Sequence, residues 1–226
     1  MSDFSSGIFA LSKDKDKIYP FLTKDEIFIQ YNDKWVGKLA PTDMEDKIQP
    51  QTLALSKEIP LLHVMHAEDH GFFMQILHEG EVKFNFDISY DIGHDQFFYE
   101  VGEELYGDAW EDWYDGGTCF SEESKKSELQ KINDKVAQRL KEERLPDLYF
   151  DNINKETLQI FKLFGASEET LANIQNILSV EYFNENFTGM VYSFMAELGL
   201  KKFGWISHHY LNNSEYPHQY AILNTP

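Results

Sequence analysis

Between Pro60 and Tyr90 the chain reads PLLHVMHAEDHGFFMQILHEGEVKFNFDISY, three apolar-polar runs separated by two short polar joints that contain glycine. Val82, Phe84, Phe86, Ile88 and Tyr90 share one parity, and Lys83, Asn85, Asp87, Ser89 and Asp91 the other. Alternation of period two predicts a strand with one buried and one wet face. Phe72 to Leu77 pairs with it if His78, Glu79 and Gly80 form a three-residue loop, Gly80 taking the left-handed position of a bulged hairpin. That register sets Ile76 opposite Val82, Met74 opposite Phe84 and Phe72 opposite Phe86, so six apolar side chains share a face. The stretch is expected to be an antiparallel meander of three strands.

Before it, Gly7 to Leu11 and Ile18 to Leu22 are short apolar runs, and Pro20 assigns the second to an edge strand. Ile27 to Leu39 predicts a hairpin around Asn32-Asp33-Lys34, because Asn and Asp tolerate positive φ. The residues after Thr52 predict two turns of helix. Ser121 to Leu145 is the clearest helix, with Leu129, Ile132, Val136 and Leu140 on one face and Pro146 as its stop. Three more helices follow: Asn154 to Gly165 around Leu158, Phe161 and Phe164; a run from Ser167 with Leu171, Ile174 and Leu178; and a run from Asn184 with Phe187, Val191, Phe194 and Leu198, ending at Gly199. Trp205 to Leu211 and Tyr220 to Leu223 are expected to return as strands. The fold class is therefore α+β, an N-terminal antiparallel meander sheet followed by a C-terminal bundle of about four helices. Residues 1–117 form the sheet half and 118–226 the helical half, separated at Gly116-Gly117 or joined into one continuous domain.

Composition narrows the function classes. The chain has 226 residues, long enough for a core that needs no staples, and 15% are aromatic, so that core is ring-rich. Thirty-nine acidic against 20 basic residues give a net charge of −19. Such a balance argues against a binder of nucleic-acid phosphates and against an anionic membrane surface. With a single cysteine, Cys119, there is no internal disulfide, and no leader or spanning segment is evident in the pattern, so a cytoplasmic location is expected.

The strongest bias lies between Asp87 and Glu123, where twelve carboxylates and nine aromatics occur without a Lys or Arg. A plain acidic tail would lack the rings. Clustered carboxylates speed encounter with cations, and Trp and Tyr supply contact area, so Asp95, Glu103, Glu104, Asp108, Trp110, Glu111, Asp112, Trp113 and Asp115 are the candidate contact residues for a basic protein partner. Immunity and inhibitor proteins combine small size and acidity in this way, an analogy of composition and not of motif.

The alternative is a metal-dependent hydrolase using His66, Asp69 and His70. Its spacing is poor: Ala67 stands where a helical zinc motif needs Glu after the first His, and Asp69 where the inverted motif needs Glu before the second. On a strand His63 and His66 point to opposite faces, and Asp69-His70-Gly71 reads as a turn. His208 and His209, being adjacent, also diverge. Cys119 precedes a helix but has no His near it in sequence to act as its base. The helices Glu156 to Phe164 and Glu168 to Leu178 have helix-turn-helix length, yet the second carries no Lys or Arg to meet DNA. No glycine loop fits a phosphate, and the expectation is a non-enzymatic binding protein with no cofactor.

Overall fold

The computed structural model describes residues 4–41, 48–67, 70–89, 92–107, 110, 122–142, 149–186, 189–201, 203–204, 206–212 and 220–223. The chain groups into two compact units, Met1–Ile88 with Tyr149–Pro226, and Ser89–Leu148. Gly116-Gly117 lies outside the described residues.

The first unit is built on an antiparallel sheet of seven strands: β1 (Phe4–Leu11), β2 (Ile27–Gln30), β3 (Trp35–Leu39), β4 (Leu61–Ala67), β5 (Gly71–His78), β6 (Glu81–Ser89) and β7 (Ala221–Leu223). Their spatial order is β6-β5-β4-β1-β3-β2-β7. The meander forms one flank, with Leu62 opposite Ile76, Val64 opposite Met74 and His66 opposite Phe72. Phe72, Met74, Ile76, Phe84 and Phe86 are all buried, and the Phe72 and Phe86 rings lie 6.2 Å apart, so the alternating apolar side chains do share a face. Two details differ from expectation. The β5–β6 loop is two residues long, Glu79 and Gly80, with φ of 57° and 80°, the left-handed pair that a tight hairpin of right-handed twist demands. Val82, next to that turn, is 41% exposed and does not join the core.

The helices of this unit are α1 (Pro50–Ser56), a 3-10 helix at Thr157–Phe164, α4 (Glu168–Ile177), α5 (Val180–Glu185), α6 (Met190–Glu197) and α7 (His208–Asn212); α2 (Ile92–Tyr106) and α3 (Glu122–Glu142) belong to the second unit. The C-terminal helices cover the apolar face of the meander through ring contacts, Phe84 to Phe161 at 5.3 Å, Phe72 to Phe194 at 6.0 Å and Phe86 to Phe150 at 5.6 Å. On the other face, Ile8, Ala10, Phe28, Val36, Leu61 and Leu77 pack with Ile18, Leu55 and Ile59. The central strands are thus covered on both sides, while Lys83, Asn85 and Asp87 of β6 stay exposed.

Local chemistry explains several helix ends. Asn154 Oδ1 accepts from the backbone of Glu156 (3.0 Å) and Thr157 (3.1 Å), Gly165 closes that turn at φ 78°, and Ser167 Oγ accepts from the Thr170 N–H at 3.1 Å. Three expected elements change. Ile18 to Leu22 is not a strand: Lys15–Ile18 and Tyr19–Phe21 are helical turns, in which Pro20 sits at the tolerated N-terminal position. The run from Asn184 is two helices, because the Asn186 carbonyl turns back to accept from Gly189 and Met190, and α6 begins only there; Phe187 lies outside the described residues. His208–Asn212 is helical, not extended, with the buried Ser207 hydroxyl 3.4 Å from the Tyr210 N–H at its start.

The β2–β3 hairpin forms as expected and has a second task. Asn32 Oδ1 accepts from Lys34 and Trp35 N–H, both at 2.9 Å, and the residues so held reach the C-terminal end of α6. The Trp35 indole donates to the Leu198 carbonyl at 2.8 Å, Lys34 Nζ to the same oxygen at 3.1 Å, and Asn32 Nδ2 to Gly199 O at 2.8 Å. Carbonyls that a helix end leaves unpaired are thereby satisfied in the interior, where an unmade bond costs most. Burial holds the Lys34 amine below its ordinary value.

Two outcomes follow from this arrangement. Trp35→Phe keeps an aromatic ring but loses the donor and part of the volume of a fully buried indole, and should cost about 1–3 kcal/mol in urea unfolding with an unchanged denaturant slope. Replacing 89–148 by a short Gly-Ser linker should leave a cooperatively unfolding sheet unit, since Phe86 and Phe150 on either side of the excised segment touch; loss of near-UV dichroism would contradict this.

Candidate protein-binding surface

In the second unit the residue pattern of α2 separates two faces. Phe97, Phe98 and Val101 fall on one side and, with Trp110 and with Ile132 and Val136 of α3, make its core; Leu129 and Tyr106 pack at the margin. Trp110 is 1% exposed, 5.4 Å from the Phe98 ring and stacked at 6.1 Å on Tyr106. It lies against Gly102, where an added Cβ would stand 2.2–2.5 Å from the indole. The glycine lets the helix backbone itself serve as the floor under the ring.

Polar bonds tie the two helices. Arg139 of α3 reaches Glu100 at 3.2 Å and Glu104 at 2.7 Å, and its guanidinium lies 5.6 Å from the Phe97 ring centre. Tyr106 donates to Glu128, which also takes Lys131 at 2.7 Å. Lys131 first, and then Tyr106, hold the Glu128 carboxyl below the usual range, while burial and Glu128 push the Tyr106 phenol up to about 12. Both Arg139 partners are about half exposed, so these pairs set geometry more than stability.

The opposite side of α2 presents Tyr99, 48% exposed, and the exposed Glu103 one turn on. Asp95 belongs to the same helix, four positions before Tyr99. Leu105 is 37% exposed on the same helix. Ser89–Leu148 holds 16 acidic and 7 basic residues, against 23 and 13 in the much longer remainder. About half the net charge therefore sits in about a quarter of the chain.

The structure places the expected contact residues unequally. Glu103 faces solvent and Glu104 is engaged by Arg139. Trp110 differs from the expected surface ring: its indole is buried in the core of the unit, where Gly102 leaves room for it beneath α2. Asp108, Glu111, Asp112, Trp113 and Asp115 lie outside the described residues, as does Cys119. Sequence reasoning passed over Tyr99 and Leu105. Spacing could have found Tyr99, since it stands two residues from both Phe97 and Val101, the inward pair.

The histidines have other surroundings. His66 is 2% exposed, opposite Ser5, with Phe72 and Tyr192 rings edge-on at 6.3 and 5.4 Å. His63 stands opposite Ile8 on the other sheet face, edge-on to Phe73 at 5.4 Å. His70 is exposed at a turn, its N–H donating to Ala67 O at 3.0 Å, and Asp69 lies outside the described residues. Among the described residues no group of three or more His, Cys, Asp or Glu could hold a metal ion, and no helix is long and apolar enough to cross a membrane.

Gly102→Ala should cost more than about 3 kcal/mol by driving Trp110 from its seat, read as loss of helical signal and a red-shifted indole emission. A variant with native emission and native stability would show that the seat under α2 accommodates a methyl group and would contradict this. No protein family, curated protein or solved structure matches the chain.

Proposed function

We propose that the chain is a non-enzymatic, cytosolic binding protein that docks a basic protein partner on the outer face of α2. The observation that carries this reading is Tyr99, a half-exposed ring between Asp95 and Glu103 in the most acidic part of the molecule. An exposed carboxylate, Glu103, one turn from an exposed ring fits an arginine-rich surface: the charge steers the approach, and the ring offers a face for a guanidinium. Glu100 and Glu104, held by Arg139, keep their position without needing to reorder on binding. An inhibitor of a basic enzyme is the class of protein this chemistry suits, and a nucleic-acid backbone is the class it repels.

Affinity capture with the full chain should retain a basic protein at about 50 mM salt and release it near 500 mM, where screening shortens the reach of charge to a few ångströms. The pair Tyr99→Ala with Glu103→Lys, both at exposed positions, should lower retention at least about tenfold while thermal unfolding stays unchanged. A captured partner indifferent to the substitutions and to salt would end the proposal.

A further inference from the structure

The strand β7 is held in the sheet unlike the others. It is three residues long and pairs with β2 through Leu223 opposite Phe28, Ile222 opposite Ile29 and Ala221 opposite Gln30. Ala221 is exposed and Ile222 is 49% exposed, so the middle of the strand buries little. Its grip lies at the two ends. Tyr220 stacks on Tyr31 with ring centres 5.0 Å apart, and Leu223, on the other face, packs against the apolar cluster that contains Phe28. In the strand it covers, Phe28 and Ile29 are fully buried. That burial comes from other neighbours as well: Phe28 meets Tyr19 at 5.2 Å, and Ile29 lies 3.1 Å from where a Cβ on Gly37 would stand. Tyr31 is fixed in turn by its hydroxyl, which donates to the Lys201 carbonyl. β2 thus keeps packed faces of its own, and β7 chiefly supplies main-chain pairing and two anchors.

We propose that β7 is a releasable strap over a peptide-binding edge: when it opens, β2 accepts an extended segment of another protein carrying an aromatic residue and, three positions on, an aliphatic one. The structure shows the slot filled by such a sequence, Tyr220-Ala221-Ile222-Leu223. Strand addition takes affinity from main-chain hydrogen bonds and specificity from side-chain seats, here Tyr31 for the ring and the Phe28 cluster for the aliphatic group. Ala221 and Ile222 stand in water between the anchors, so those two positions tolerate other residues. A strand that buries so little opens at a lower free energy than the sheet as a whole. The strap also sets the affinity, because a partner meets the slot only in the open fraction of molecules. This slot belongs to the first unit and stands apart from the reading of α2.

In the full chain, amides of β7 and their partners in β2 should exchange with solvent at least about tenfold faster than those of β1. The synthetic peptide HQYAILNT should slow exchange in β2. It should also bind the double variant Tyr220→Ala with Leu223→Ala, whose own strap has lost both anchors, at least about tenfold more tightly than the native chain. The peptide HQAAIANT should bind neither. The proposal is overturned if β7 and β1 exchange at one rate, if the two peptides bind alike, or if variant and native chain take HQYAILNT equally. A dimer formed by trading β7 between copies, seen in sedimentation of the native chain, would assign the slot to a second copy and overturn the partner.

Discussion

The first unit depends on keeping β1 supplied with hydrogen bonds while it is buried on both faces. Residues Ser5 to Ala10 are all buried, although β4 flanks the strand from Phe4 to Phe9 and β3 only from Ile8 to Leu11. The missing partner along the first half comes from the far end of the chain: Ser6 N–H donates to Ile206 O at 2.7 Å, and Ile206 N–H to Ser5 Oγ at 3.3 Å. An orphan donor here would carry its full desolvation cost. The strand made first therefore completes its bonding only with residues 200 positions later. Contacts so distant in sequence make for slow folding.

The same constraint accounts for the glycines and rings around it. Phe9 lies opposite Gly37, and a Cβ at Gly37 would come within 3.0 Å of that ring, so the aromatic side chain occupies the space the glycine vacates. Phe9 then meets Phe203 at 6.0 Å and Tyr31 at 5.8 Å. Trp35, in the next strand, meets Phe164 at 5.3 Å and caps α6. Ring stacking and helix capping converge on the same few strand positions, which couples sheet and helices. On the opposite face Lys38 and Glu26 form an ion pair at 2.6 Å, each less than a tenth exposed, with Glu26 also accepting the Thr23 N–H at 2.7 Å. A pair so desolvated specifies geometry more than it stabilises.

Regular patterns were legible in the sequence and contextual ones were not. The meander, the Asn32 hairpin, the long helix and the caps at Asn154, Ser167 and Gly199 all follow from period and from turn chemistry, and each is present. Failures cluster where a short segment had two uses. Ile18 to Leu22 is apolar enough for a strand, but packing against α1 and the sheet favoured helical turns. His208–Asn212 alternates poorly and was decided by a cap at Ser207. The helix α2 was hidden because its carboxylates and rings drew attention as composition. Only the spacing of Phe97 and Val101, set against Tyr99 and Glu103, separates its faces. For the same reason Trp110 passed for a surface ring: nothing in the string says that Gly102 opens a seat for it.

The second unit shows how far a small core can carry an unfavourable charge. Among the described residues of this unit, six buried apolar side chains and one cross-helix arginine join α2 to α3, in a stretch of sequence with 16 acidic and 7 basic side chains. Like charges on neighbouring turns of α2 repel, and Arg139 offsets two of them by lying between Glu100 and Glu104. Glu103 has no such position and stays in water. The repulsion left over lowers the stability of the isolated unit. On the proposed reading, a cationic surface brought against α2 would remove that repulsion in the bound state alone, returning the strain of gathering the carboxylates as binding energy. Spreading the same acidic residues evenly over the chain would stabilise the fold and forfeit that difference.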